Sequence, residues 1–195
     1  MIGYDGRTAL LVVDVQNDFA DPAGSLYVRG GEAVVALVNE QIALALPAGA
    51  SVVYTQDWHP EVTPHFEKDG GIWPVHCVQG TWGAAFHPDL RVEGVVVRKG
   101  AEGGDGYSAF SVRDPRSGDV SATALETMLR ERGIERLVIA GLATDYCVVE
   151  TVIDGRRLGF PITVLTDAIR AVDLEPGDGE RALKRMRESG ATLGR

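Results

Sequence analysis

Basic residues are the scarce charge: 19 Lys and Arg stand against 28 Asp and Glu, a formal net charge of −9. No run of Lys or Arg longer than two residues stands out. Such a surface offers no electrostatic footprint for a phosphate backbone or an anionic membrane, so nucleic acid and membrane drop out as partners. Long apolar runs are missing too, and none approaches the ~20 residues of a membrane-spanning helix. Residues 1–5 carry neither the basic start nor the apolar stretch of a secretory signal, which predicts a cytoplasmic protein. Cysteine is rare, with Cys77 and Cys147 alone. In a reducing compartment two thiols do not argue for a structural disulfide, and each needs its own explanation.

What is present is a rhythm. Segments 9–13, 51–54, 94–97, 137–140 and 162–165 are short, rich in Val, Ile and Leu, and apolar on both faces, as buried parallel strands are. Between them, 32–46, 121–132, 145–158 and 179–189 read as helices, with Ser121 as N-cap of the second and Gly133 as its stop. Five alternations predict a central, mostly parallel sheet with helices on both faces. At 195 residues the chain fits a single domain that buries roughly 70% of its unfolded surface. Segment 57–90 breaks the rhythm. It is rich in Pro, Gly and His, and Trp58, Trp73 and Trp82 predict that it is ordered and functional rather than a disordered linker.

Reactive side chains follow the strands. Asp14 comes after the first, Asp57 after the second, Lys99 after the third, and the turn carrying Cys147 after the fourth. Taken singly, such an Asp is an ordinary cap, such a Lys a solvated rim charge and such a Cys a core residue. Ligands of open parallel sheets, however, bind beyond the carboxyl ends of the strands, so sequence order predicts that these four converge. A thiol in the first turn of a helix, near an ammonium, is expected to have a lowered pKa and act as a nucleophile.

All four histidines, at 59, 65, 76 and 87, lie in the irregular segment. Asp57 and His59, two apart in extended chain, point to one side. With His65 and His76 they predict one divalent transition metal, Zn, Fe or Mn by ligand type. His87, in a Phe-His-Pro turn, is left out, and Cys77 reads as a packed structural thiol.

The blocks "LLVVDVQNDF", "YTQDWHP", "WPVHCVQGT", "VVRKG", "GYSAF" and "GLATDYCV" occur in this order along nearly the whole chain. In them the sequence resembles the nicotinamidase/pyrazinamidase group of the isochorismatase-like cysteine hydrolases. The resemblance implies a Rossmann-like three-layer α/β sandwich, with 57–90 a metal- and substrate-binding insertion. It makes Asp14 the general base, Lys99 a stabiliser of charge and Cys147 the nucleophile. It implies Asp57, His59, His65 and His76 as metal ligands, His65 falling at a position that varies among members. It also implies a cis peptide joining Leu142 to Ala143, and an oxyanion hole built from the N–H groups of Ala143 and Cys147. Phe19, Trp73, Tyr107 and Tyr146 would wall a pocket for a flat aromatic amide, the partner being a small molecule, with assembly into a homo-oligomer left open. Ala109 stands where glycine is common, and the loop 101–106 is unusual, so its role stays undefined. A ureido or N-carbamoyl amidase and a noncatalytic binding member are the rival readings. The former relatives usually lack the metal ligands, and the retained Asp, Lys and Cys argue against the latter.

Overall fold

The first strand, β1 (Thr8–Val13), is buried at every position, and its side chains divide by parity between two cores. Leu10 and Val12 enter one, while Ala9, Leu11 and Val13 enter the other, as the two-residue period of a strand requires. This is the centre of a three-layer sandwich seen in the computed structural model, which describes residues 3–194.

The other strands are β2 (Ser51–Asp57), β3 (Val95–Lys99), β4 (Ser111–Arg113), β5 (Val120–Ala122), β6 (Arg136–Leu142), β7 (Ile162–Arg170) and β8 (Thr192–Gly194). Six of them form one sheet in the order β3-β2-β1-β6-β7-β8, every pairing parallel. Helices α1 (Asn17–Ala20) and α2 (Glu32–Ala45) supply Phe19, Val34, Val35, Val38 and Ile42 to the core with Leu10. Helices α3 (Leu125–Glu131), α4 (Val149–Arg157) and α5 (Asp178–Glu188) close the opposite face with Leu125, Leu129, Val152 and Met186.

Beyond β1 the chain first moves to β2 on one side, and later returns through β6 on the other. The carboxyl ends of β1 and β6 therefore flank the topological switch point, where doubly wound sheets open a crevice. Gly141 permits the closest approach there. Its φ is +121°, and a Cβ would lie 2.1 Å from Val13 O, so no side chain fits between β6 and β1.

The crossover from β2 to β3 is the irregular segment read from the sequence at 57–90, with a 3₁₀ turn at Glu67–Asp69. Other expectations are corrected. β3 is an edge strand whose Val96 is 37% exposed, not a strand apolar on two buried faces. Ser121 lies in β5, in a small antiparallel hairpin with β4, and caps nothing: α3 begins at Leu125 after Ala124. The helix expected from 145 opens instead with a π-helical turn, Thr144–Val148, before α4. Among the described residues no helix is long and apolar enough to cross a membrane.

Candidate active site

Asp14 follows β1 directly, with a φ of +48° that Asp tolerates better than most side chains. Thr55 of β2 secures it: its hydroxyl accepts from Asp14 N at 3.1 Å and donates to Asp14 Oδ1 at 2.6 Å. Oδ2 lies 2.6 Å from Lys99 Nζ in a fully buried ion pair, the approach falling outside hydrogen-bonding angles. Lys99, the last residue of β3, also donates to Cys147 Sγ at 3.0 Å and to Tyr107 O at 3.2 Å. Lys99 thus touches Asp14 on one side and the thiol on the other.

Burial alone would push the Lys99 ammonium towards neutrality, but the Asp14 and Asp57 carboxylates near it hold its pKa well above the ordinary value. It stays charged. At Cys147 burial wins: the thiol is pushed well above its usual pKa, Lys99 opposing and Asp14 and Asp57 reinforcing the rise. Burial thus works against the thiolate expected at a helix N-terminus, and a base beside the thiol offsets it. The turn geometry works against that thiolate too. Tyr146 N and Val148 N both donate to Ala143 O, at 3.2 and 3.0 Å, so the helix opens with a widened i→i+5 turn rather than an ordinary α-helical end.

The bond from Leu142 to Ala143 is cis, and Ala143 and Cys147 both line the cleft. Phe19, Trp73, Tyr107 and Tyr146 all line it. Trp73 Nε1 donates to Tyr107 Oη at 3.0 Å, and the Tyr146 ring meets both edge-on, at centroid distances of 4.9 and 5.3 Å. Leu26, Val28 and Val172 complete the apolar wall. Iodoacetamide is expected to modify Cys147 ahead of Cys77, because Cys147 lines this cleft whereas Cys77 is wholly buried in the core. Peptide mass spectrometry on a time course reads the order; preferential labelling of Cys77 would contradict this view of the site.

Opposite the thiol, Asp57 ends β2, and His59 continues in extended chain through a bridge to Val78. Asp57 Oδ2 is 2.9 Å from His59 Nε2 and 3.4 Å from His76 Nε2. Ring nitrogens of His59, His65 and His76 converge within 4.8 Å, all three residues buried. His87 stays apart, its Nδ1 accepting from Asp89 N. Burial would raise the Asp57 carboxyl, but Lys99, His59 and His76 hold it well below the usual range.

The arrangement fits a divalent cation. Two donors sharing an ion at ~2.1 Å stand roughly 3.0–3.4 Å apart at tetrahedral or octahedral angles, close to the Asp57–His spacings. The outward nitrogens of two rings are also occupied: His76 Nδ1 donates to Pro74 O and His65 Nδ1 to Asp105 Oδ1, leaving Nε2 for the ion.

Three contributors were not singled out from the sequence. Gln16 exchanges hydrogen bonds with the Asp57 backbone, Nε2 to Asp57 O and Asp57 N to Oε1, both 2.7 Å, tying the metal side to the Asp14 turn. Its signal was the glutamine inside "DVQND". Thr55 ends no motif, and Asp105 belongs to the loop whose role was undefined.

Residues 8–195 match the model of the isochorismatase domain. The chain is 38% identical to a nicotinamidase of Escherichia coli (strain K12), over 95% of this chain and 93% of that one. The crystal structure of a pyrazinamidase of Pyrococcus horikoshii in complex with zinc superposes with a TM-score of 0.86 at 40% identity, covering 97% of this chain and 99% of that one. PnC1 from L. infantum, in complex with nicotinate, superposes with a TM-score of 0.89 at 34% identity, over 100% and 96%. A six-stranded parallel sheet with Asp, Lys and Cys at its carboxyl edge and a family match spanning that whole sheet lead to one conclusion: the chain belongs to the isochorismatase domain family.

Proposed function

We propose that the protein is a metal-dependent cysteine amidohydrolase that converts nicotinamide to nicotinate and ammonia, and accepts pyrazinamide in the same way. One observation carries the reading: a Lys99-bridged Asp14 and Cys147 face a carboxylate-and-histidine cluster across a cleft walled by aromatic rings. A flat heteroaromatic amide spans that cleft, its ring between Phe19, Trp73, Tyr107 and Tyr146 and its carboxamide at Cys147.

In the reaction Asp14 takes the thiol proton, with Lys99 Nζ in contact with both groups, and Sγ adds to the carboxamide carbon. The N–H groups of Ala143 and Cys147 hold the oxyanion. Asp14 returns the proton to the departing nitrogen, the C–N bond breaks, and ammonia leaves a thioester on Cys147. Water then adds to that thioester, giving one proton to Asp14. Loss of the thiolate, which recovers the proton, yields nicotinate and the free enzyme. A cation held by Asp57, His59, His65 and His76 would supply a Lewis-acid anchor for the ring nitrogen. The cellular setting that supports this chemistry is cytoplasmic NAD salvage.

Steady-state assays across nicotinamide, pyrazinamide, benzamide and aliphatic amides test the proposal. Ammonia and nicotinate should appear in equal amounts, with the heteroaromatic amides preferred. Preference for a ureido or N-carbamoyl amide would overturn the assignment.

The metal's role makes a separate prediction. Chelation, or His59→Ala, is expected to raise KM for nicotinamide strongly while changing benzamide far less, since benzamide keeps ring and carboxamide but lacks the ring nitrogen. An interaction present equally in ground and transition states shows in KM, whereas polarisation of the carbonyl shows in kcat. Equal proportional loss of kcat for both amides would move the cation's role to the carbonyl.

A further inference from the structure

Asp57 and His59 reach the metal centre on one extended run of backbone, and His76 is fixed by a carbonyl two residues earlier in its own segment. His65 differs. It sits in irregular chain between β2 and β3, and the far side of its ring is held by Asp105, 40 residues further on, through Nδ1 donating to Oδ1 at 2.8 Å. Because a carboxylate only accepts, this bond sets the proton on Nδ1 and leaves Nε2 with its lone pair.

Asp105 is itself clamped. Gly106 N donates to Oδ1 at 2.7 Å, Arg113 Nη2 donates to Oδ2 at 2.8 Å, and the backbone N and O of Asp105 pair with those of Arg113 at 2.6 Å each. The side chain that holds His65 is therefore itself held by Arg113 of β4. The loop bearing Asp105 also abuts a second histidine. Gly100, at φ +79°, passes so near His59 that a Cβ would lie 2.8 Å from His59 Nδ1. Lys99 and Tyr107 flank the same loop, so one short segment connects the metal centre, the ammonium beside the thiol and the aromatic wall.

We infer that Asp105 is a positioning residue of the metal centre: it fixes the orientation and tautomer of His65 and makes His65 a ligand, with Arg113 steadying Asp105 in turn. The inference rests on the metal-dependent reading of the site. Its alternative is that Asp105 merely closes the loop onto Arg113, with His65 a bystander.

Zinc affinity of the metal-stripped protein, measured by competition with a chromophoric chelator, separates the two without any assay of turnover. Asp105→Ala is expected to weaken zinc binding by roughly 10- to 100-fold, the usual effect of removing a partner that orients a metal-binding histidine. The same substitution in a His65→Ala background should weaken it no further, because the route through His65 is already gone. Asp105→Asn, which keeps the shape, should give a smaller loss in the same pattern, and it carries the test if the alanine variant does not fold. His59→Ala is the control. Lost affinity in His59→Ala with Asp105→Ala within about twofold of the parent would overturn this inference alone, as would an equal loss from Asp105→Ala with and without His65. Unchanged zinc binding in His59→Ala would overturn the metal reading itself.

Discussion

Cys147→Ala is expected to lower amide hydrolysis by on the order of 10⁴- to 10⁶-fold, the scale seen when a covalent nucleophile is removed. The cleft loses one sulfur that Lys99 contacts, and its aromatic walls remain, so nicotinamide binding should survive. Cys77→Ala provides the contrast. Its thiol is buried in the core cluster with Phe19 and Tyr54, away from Lys99's hydrogen bonds, and its loss should cost about 1 kcal/mol of stability with turnover largely kept. Ammonia release from the two purified variants checks both halves. Equal losses would mean that Cys147 has no special role.

The second large effect belongs to Asp14. Asp14→Asn keeps the shape and the acceptor for the Thr55 hydroxyl but removes the proton acceptor, so turnover should fall by roughly 10²- to 10⁴-fold. Stability should fall as well. Lys99 and Asp14 are buried, at 2% and 0% side-chain exposure, and breaking such a pair from one side costs about 3–5 kcal/mol. For a chain of this size that is roughly a 10 °C drop in Tm. Because the penalty lies in the stranded ammonium, adding Lys99→Met should recover much of the Tm while activity stays lost. Differential scanning calorimetry beside ammonia assays separates the effects. Near-normal turnover in Asp14→Asn would reduce Asp14 to an ion-pair partner of Lys99.

What the sequence made legible follows from how each feature is encoded. β1, β2, β6 and β7 announce themselves because parallel strands covered on both faces must be continuously apolar. β3 reads the same way, yet it is an edge; strand order is a property of the whole topology, and no residue within "VVVRK" records it. β4, β5 and β8 are three residues each, and the β5 side chains are all exposed, so neither apolar period nor burial marks them. Ser121 reads as a cap because the apolar pattern of α3 lies just beyond it, but the helix starts at Leu125 with Ala124 in the cap position.

Within the site, the order of strands in the chain was enough to place Asp14, Asp57, Lys99 and Cys147 on one edge, because each closes or follows a parallel strand. Two features stayed hidden. The π-helical turn under Cys147 depends on Ala143 O accepting two N–H groups, a tertiary arrangement with no composition of its own. The upward push on the Cys147 thiol is hidden for a related reason: sequence shows the helix and the lysine, while the desolvation that opposes them appears only once the sheet edge is closed. Asp105 was one acid in a glycine-rich loop until the fold brought it to His65.

The central claim is that a thioester on Cys147 stands between amide and acid, and partitioning tests it most directly. Nicotinamide and methyl nicotinate differ in leaving group but would form the same acyl group on the thiol. With hydroxylamine added as a competing nucleophile, the account predicts that both substrates give the same ratio of nicotinohydroxamate to nicotinate, since the ratio is set after ammonia or methanol has departed. A ratio that changes with the leaving group would show that water or hydroxylamine attacks the substrate directly, and would contradict the covalent role of Cys147.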